Sequence, residues 1–528
     1  MQIKRLKVDK YKCFRDFEVA FQIEEGGCSN ILIGENGTGK STLLEVILEI
    51  LMSFDSDAVE KRITYSYEIE YVHGANLIKL SQYKHSYNIY IDDVVFARGK
   101  IQTIRKKLNE KEKSIFPERI NYFYSGLNCK ELSSLKQINS NYTKKCRDVV
   151  GVYWRAVVWA GQTYNHNLPK RKFNNCTDEL LPIYLIAILC GSDSYEKSYL
   201  QRQCHIESID VARVQLTLKN LPNDIEEEFF GNEQNAMNEI LDYLDADFSE
   251  LLASGLLYQN DNEFMYELHD FSELRKDTVS VFEFFEKLST LFNATFDVFV
   301  KVGNSRVNIT SLSEGQRQLI KLFGMLGVSK SENMLVLMDE PDSHMNPKWK
   351  YEMKNIIDNS LKGAVNVQAI IATHDPLVIN GVQKQYVSIF TYENSLHGNG
   401  NELYSKVIVP DDDTKGMGID GILQSEYYGM ETTLDYQTKK LVDEKHKLMI
   451  NLRNDNITQA QRKRLQAISN ELSKMRFASN IPTDSYYDEF AAALNEEYQK
   501  RPKRQLDKKE IDERNEIARS IVKRLLKE

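Results

Sequence analysis

The chain lacks several features that would each place it at once. No apolar run approaches the roughly 18 residues of a membrane span, and the longest candidate, Leu180 to Cys190, has the length of a core helix. The seven cysteines (Cys13, Cys28, Cys129, Cys146, Cys176, Cys190 and Cys204) are odd in number, scattered and without a C-x-x-C pair. They support neither a disulfide framework nor a zinc site, and reduced cytoplasmic thiols are expected. A basic excess is missing too: 68 Lys and Arg stand against 77 Asp and Glu, a net charge of -9. That argues against a globally basic nucleic-acid binder, although a local patch can sit inside an acidic average. The opening Met1-Gln2-Ile3-Lys4-Arg5 alternates like a strand and carries no apolar signal region. A cytoplasmic protein with no membrane partner is the expectation. What is present is core material: 42% hydrophobic and 10% aromatic residues over 528 positions, enough for two or three folded domains.

One stretch organises the rest. Gly34-Glu35-Asn36-Gly37-Thr38-Gly39-Lys40-Ser41-Thr42 lies between the apolar run Ile31-Leu32-Ile33 and the amphipathic segment Leu43 to Leu51. This order reads as strand, glycine-rich loop and helix, and the spacing is G-x-x-x-x-G-K-[ST]. Glycines let successive backbone N–H groups curl around a phosphate, and the helix N-terminus adds partial positive charge. Asn36 through Thr42 are therefore the candidate ATP-binding residues, with Lys40 on the β- and γ-phosphates and the Ser41 hydroxyl on Mg²⁺.

Around this loop, residues 2 to 33 alternate as a β-rich lobe. The segments 63–71, 77–83 and 87–97 read as strands of one antiparallel sheet with turns at His73-Gly74 and near His85, and 101–113 as a charged helix with a solvated face. The stretch 116–300 has few glycines, a strand at 120–124, and helical patterns at 180–189 and 235–252. It lacks sustained heptads, which makes it a globular insertion, mixed but mainly helical, and not a coiled-coil arm. A further strand is expected over 298–309.

The second half of the site begins at Leu312-Ser313-Glu314-Gly315-Gln316, which opens an apolar helix. Serine and glycine at a helix start make an anion-binding end. Met334 to Met338 is a buried strand that delivers Asp339 and Glu340 at its carboxyl edge, where a parallel sheet binds nucleotide. Asp339 is the candidate second Mg²⁺ ligand, and Glu340 is placed to activate the attacking water. Val367 to Thr373 is another apolar strand and ends in Thr373-His374-Asp375-Pro376.

In this order the motifs resemble those of the ATP-binding-cassette ATPase superfamily. Walker A falls at 34–42, the signature at 312–316, Walker B at 335–339, the catalytic glutamate at Glu340, the D-loop at 342–347 and the switch histidine at His374. The resemblance implies an α/β fold: a cassette ATPase head with a mixed β lobe and a parallel RecA-like sheet, a large helical insertion and a helical C-terminal region. The expected divisions are 1–115, 116–300, 301–410 and 411–528. It also implies a head-to-head homodimer in which Ser313, Gly315 and Gln316 of one protomer meet the ATP held by the other. The opening Lys12-Cys13-Phe14-Arg15-Asp16-Phe17 is similar to the RecF, SMC and OLD branch, as is 339–347, apart from Met345-Asn346.

Residues 415–430 resemble the segment after the ATPase core in anti-phage ATPases of the Septu PtuA type, some of them encoded with retrons. That likeness implies a separate HNH nuclease as partner and, in retrons, a reverse transcriptase with its RNA–DNA product, so that nucleic acid is met at the level of the complex. The tail reads as helices at 440–453, 458–475, 485–498 and from 507 onward, with no strands to carry an OLD-type nuclease cluster. Asp411-Asp412-Asp413 reads as a solvated turn. No nuclease site is expected in this chain. A RecF-like repair ATPase that binds DNA directly stays open as the alternative, and behind it a transport cassette or a scaffold with a structural ATP site.

Overall fold

A computed structural model describes residues 1–55, 63–110, 115–124, 131–153, 155–156, 168–217, 233–260, 263–269, 271, 276–328, 330–394, 403–453, 457–475, 513 and 516–521. In chain order the strands are β1 (Gln2–Tyr11), β2 (Phe14–Ala20), β3 (Gly27–Gly34), β4 (Tyr67–His73), β5 (Asn76–Tyr83), β6 (Ser86–Ile91), β7 (Val94–Gly99), β8 (Ile120–Tyr124) and β9 (Phe173–Asn175). There follow β10 (Ile206–Thr217), β11 (Leu256–Asn260), β12 (Glu263–Leu268), β13 (Thr295–Val302), β14 (Ser305–Asn308), β15 (Leu335–Asp339), β16 (Val367–Ala372), β17 (Val387–Asn394) and β18 (Leu403–Ile408). The chain separates into two compact units, Met1–Asp411 and Asp412–Glu528.

The first unit is α/β and holds three sheets. The six-stranded sheet, in the order β2-β1-β4-β5-β6-β7, pairs antiparallel throughout. Ile3, Leu6 and Val8 of β1 are all buried although Ile3 and Leu6 are three apart. A shift of register between Ile3 and Arg5 resets the two-residue alternation. The segment expected as one strand over 87–97 is a hairpin, because Asp92 and Asp93 both take positive φ (49° and 62°), the conformation of a two-residue turn that matches strand twist. The sequence offers Asp-Asp there, and the turn is unmarked by glycine.

The seven-stranded sheet runs β18-β17-β3-β16-β15-β8-β9. From β17 to β9 every pairing is parallel, and β18 closes the edge antiparallel. Its inner strands read as continuous apolar runs because both faces are covered: all five residues of β15 and all six of β16 are buried. The helix Lys40–Ser53 follows β3, and Pro347–Leu361 connects β15 to β16.

Among its described residues the stretch 116–300 is mixed and mainly helical, but it also contributes strands beyond the expected one at 120–124. It gives β8 and β9 to the parallel sheet, and β10 to β13 join β14 in a five-stranded sheet of order β11-β12-β10-β13-β14. Register shifts within β10 scramble the alternation that would have marked a strand. The expected strand 298–309 is the hairpin β13–β14, broken at Gly303 with φ 55°. The helix Leu181–Cys190 is buried at nearly every position, as an all-round apolar helix must be.

In the second unit, the stretch 415–430 folds around Tyr427, which is fully buried and whose hydroxyl donates to the Asp412 carbonyl at 2.6 Å. The helices Tyr436–Arg453 and Gln459–Lys474 pack through Leu448, Leu465, Ile468 and Leu472. Thr458 caps the second with a reciprocal bond from Gln461. No strand occurs among the described residues of this unit. The expected helix at 485–498 lies outside the described residues, as does most of the one from 507.

Gly324 tests the packing of the apolar helix. Its backbone is helical (φ -59°, ψ -43°), where alanine would ordinarily be favoured by up to about 1 kcal/mol. A Cβ there would collide with the Tyr184 ring, which is fully buried. Gly324→Ala should therefore destabilise the first unit by about 1–3 kcal/mol, read as a lower midpoint in urea unfolding.

Candidate nucleotide site

The parallel register brings three strand ends to one edge. Ile31 pairs with Ile371, and Asp339 with Ala372, so the loop after β3, the carboxylates ending β15 and the residues after β16 emerge side by side. Ligands of open α/β sheets sit at this carboxyl edge.

Gly34 leaves β3 with φ 140°, and a Cβ there would strike the Phe390 backbone of β17. Only glycine fits. Gly37 and Gly39 also take positive φ, 87° and 105°, which turns the loop back to begin the helix at Lys40. Glu35, Asn36 and Gly37 are exposed, and Thr38 is buried with its hydroxyl donating to the Glu35 carbonyl at 2.7 Å. No acidic residue occupies the first turn of the helix, so its positive end is uncompensated. Lys40 is buried and donates to the carbonyls of Gly34 (2.7 Å) and Glu35 (3.0 Å). Burial lowers its pKa from the ordinary lysine value, while the charges of Glu340 and Asp339 hold it up.

Asp339 is 4% exposed. Burial pushes its carboxyl up to about 6, against a hydrogen bond from the Ser41 side chain and the charge of Lys40. Its Oδ1 has no hydrogen-bond partner among the described residues. A buried carboxylate oxygen left unpaired beside a hydroxyl is an oxygen donor pair suited to a hard divalent cation.

Glu340 sits just past β15 with φ 51°, and its N–H still bonds the Ala372 carbonyl at 2.8 Å. This left-handed backbone turns the side chain out of the strand, where Oε1 meets His374 Nδ1 at 2.7 Å. Thr373 is tied to β3 through Leu32 O (2.9 Å). Lys350 bridges Asp375 at 2.7 Å and lies 4.0 Å from the buried Asp342. Lys350 carries no sequence signal, since it is one of several lysines on the helix Pro347–Leu361.

The residues 312–316 form the start of the helix Glu314–Phe323. Ser313 caps it in a reciprocal capping box with Gln316. Gly315 lies where a Cβ would stand 3.0 Å from the His344 carbonyl, and Gln318 donates to Pro341 O at 3.0 Å. The structure thus gathers Lys40, Ser41, Asp339, Glu340 and His374 at one edge. Ser313 and Gln316 bond each other in the capping box, and it is Gly315 and Gln318 that meet the loop 341–349.

A glycine loop on a helix N-terminus, a buried carboxylate and a Glu–His pair thus share one edge, the arrangement expected of a P-loop ATPase. The chain belongs to the AAA ATPase domain family, which matches residues 1–379. Among curated relatives it is 24% identical over 200 residues to the Septu protein PtuA of Bacillus mycoides, covering 36% of this chain and 26% of that one. It is 23% identical over 435 residues to the retron Ec83 probable ATPase of Escherichia coli, covering 73% and 71%. It is 31% identical over 104 residues to the retron Vc95 probable ATPase of Vibrio cholerae, covering 18% and 20%. The chain thus spans about a quarter of the length of the PtuA relative. Two solved structures are similar at lower level: an SMC head bound to the C-terminal winged-helix domain of ScpA (13% identity, TM-score 0.33, covering 77% of this chain and 97% of that one) and the SMC head of Thermotoga maritima (12%, 0.32, 78% and 100%).

Because the Asp339 carboxyl is raised, its proton is held more tightly in the fold than in the unfolded chain. Above about pH 6 the buried carboxyl is ionised and its charge penalises the fold, and this penalty is relieved as the group takes up its proton below that value. A divalent cation bound at Asp339 would have to displace that proton. The Mg²⁺ concentration for half-maximal ATP turnover should therefore be flat above about pH 6 and rise up to about tenfold per pH unit below it, measured by Mg²⁺ titration at fixed ATP.

Proposed function

We propose that this chain is the ATP-hydrolysing subunit of an anti-phage defence assembly, and that ATP closes it into a homodimer that controls a partner HNH nuclease. The Glu340–His374 hydrogen bond beside Lys40 and Asp339 carries the hydrolytic part. The glycine loop and Lys40 take the phosphates. Ser41 and Asp339 would hold Mg²⁺, which when bound neutralises charge on the phosphates. Glu340 accepts the proton of the attacking water, and His374 fixes the rotamer of that carboxylate through its ring nitrogen. Exposed Ser313, at a helix start, is presented to the nucleotide of a second protomer.

The defence reading rests on the Septu and retron names of the relatives and on the stretch 415–430. A reverse transcriptase and its RNA–DNA product are further partners on the retron version. Within this reading the chain supplies ATP-driven switching, and the nuclease acts in trans.

Glu340→Gln should lower kcat by about 10²–10⁴ with ATP affinity retained, and light scattering in ATP should give twice the protomer mass. Normal turnover by this variant would sink the assignment. His374→Ala should lose less of kcat, with little change in KM for ATP.

Purification from the native operon at moderate salt, followed by mass spectrometry, tests the partner. Recovery of a small HNH protein is the expected outcome. Genomic DNA and repair factors alone would instead support direct DNA binding of the RecF kind.

A further inference from the structure

Far along the chain from the glycine loop, β8 and β9 begin next to a cavity of about 240 Å³. Arg119 immediately precedes β8 and Arg171 lies just before β9, so the cavity adjoins the amino ends of these strands, opposite the edge that carries the nucleotide residues. The helices Glu131–Tyr153, Glu233–Leu244 and Thr278–Phe292 supply its other walls.

Its lining is charged. Arg119, Lys170, Arg171 and Lys287 face two carboxylates, Glu283 and Glu286, an excess of two positive charges. Arg119 is 5% exposed. Its Nη2 is 3.7 Å from Glu286 and 3.9 Å from Glu283, distances beyond a hydrogen bond. Its Nη1 has no hydrogen-bond partner among the described residues. Arg171 donates to Asn139 and to Glu286, both at 3.4 Å, and lies 5.9 Å over the Tyr142 ring. A buried guanidinium with an unmet N–H costs free energy that an ordinary structural ion pair would not leave uncollected.

We propose that this cavity is a second small-molecule site, which takes a compact phosphate-bearing anion. The Arg119 guanidinium offers an unmet N–H to a phosphate oxygen, Arg171 beside it adds a second guanidinium held by long bonds to Asn139 and Glu286, and the ammonium groups add point charge. The cavity, about 240 Å³ and open to solvent on one side, has room for a small anion. Pyrophosphate and a pentose phosphate are compact enough to place their phosphate among these cations. The site is independent of the ATPase reading, because none of its residues belongs to the nucleotide edge.

The test is isothermal titration calorimetry of inorganic pyrophosphate, and separately of ribose 5-phosphate, into the full chain saturated with Mg²⁺ and ADP so that the glycine loop is occupied. One equivalent should bind, and the preferred titrant separates an inorganic from a sugar-phosphate ligand. Lys170 is exposed, so Lys170→Glu should leave thermal unfolding unchanged while weakening binding at least tenfold. Arg119→Lys keeps the charge, removes the fork and should weaken it as well. No binding up to millimolar titrant, or binding unaltered in both variants, would overturn the proposal.

Discussion

The parallel register of β3, β16 and β15 is the constraint from which the site follows. Residues on three segments, separated by some three hundred positions, meet because neighbouring strands end level with one another. Asp339 stands beside Ala372, and Thr373 N–H bonds Leu32 O. A slip of one residue in β15 would send Asp339 to the opposite face and remove the carboxylate from Lys40. Strand burial on both faces prevents that slip, since every residue of β15 and β16 is enclosed. The apolar runs that look least functional are thus what aligns the chemistry.

That alignment has an electrostatic cost. Lys40 and Asp339 are both buried, and burial moves each toward its neutral form, lysine down and aspartate up. Their opposite charges offset part of this, yet Asp339 Oδ1 has no hydrogen-bond partner among the described residues. Stability alone would favour apolar residues of similar volume. On the proposed reading a polyanion and a divalent cation would complete the set, and the unmet valence would then belong to a ligand site and not to a packing fault.

The nucleotide edge was legible in sequence because its parts obey local rules. Glycines at 34, 37 and 39 are demanded by φ values that other residues resist, and the apolar runs before 34, 339 and 373 can only be strands between covering layers. The five-stranded sheet was not legible. Its pairings link β10 to β13 across some eighty residues, and its bulges break the alternation that a reader follows. β9 is three residues long, too short for any period. Lys350 and the cavity around Arg119 escaped for a different reason: each is assembled from residues whose spacing in the chain carries no pattern, and only the fold makes them neighbours.

The two halves of the nucleotide machinery are joined by packing that local patterns also fail to show. Gln318 holds the carbonyl of Pro341, the residue after Glu340, and Gly315 lies against the His344 backbone at φ 65°. The N-terminus of the helix Glu314–Phe323 therefore cannot shift without moving the loop that carries Glu340. On the proposed dimer reading, this contact gives the interface a mechanical basis. Contacts made by Ser313 across the interface would be felt by the Glu340–His374 pair through one buried hydrogen bond and one glycine contact. Gly315 matters there because a side chain would separate the helix from the loop, and the coupling depends on their close approach.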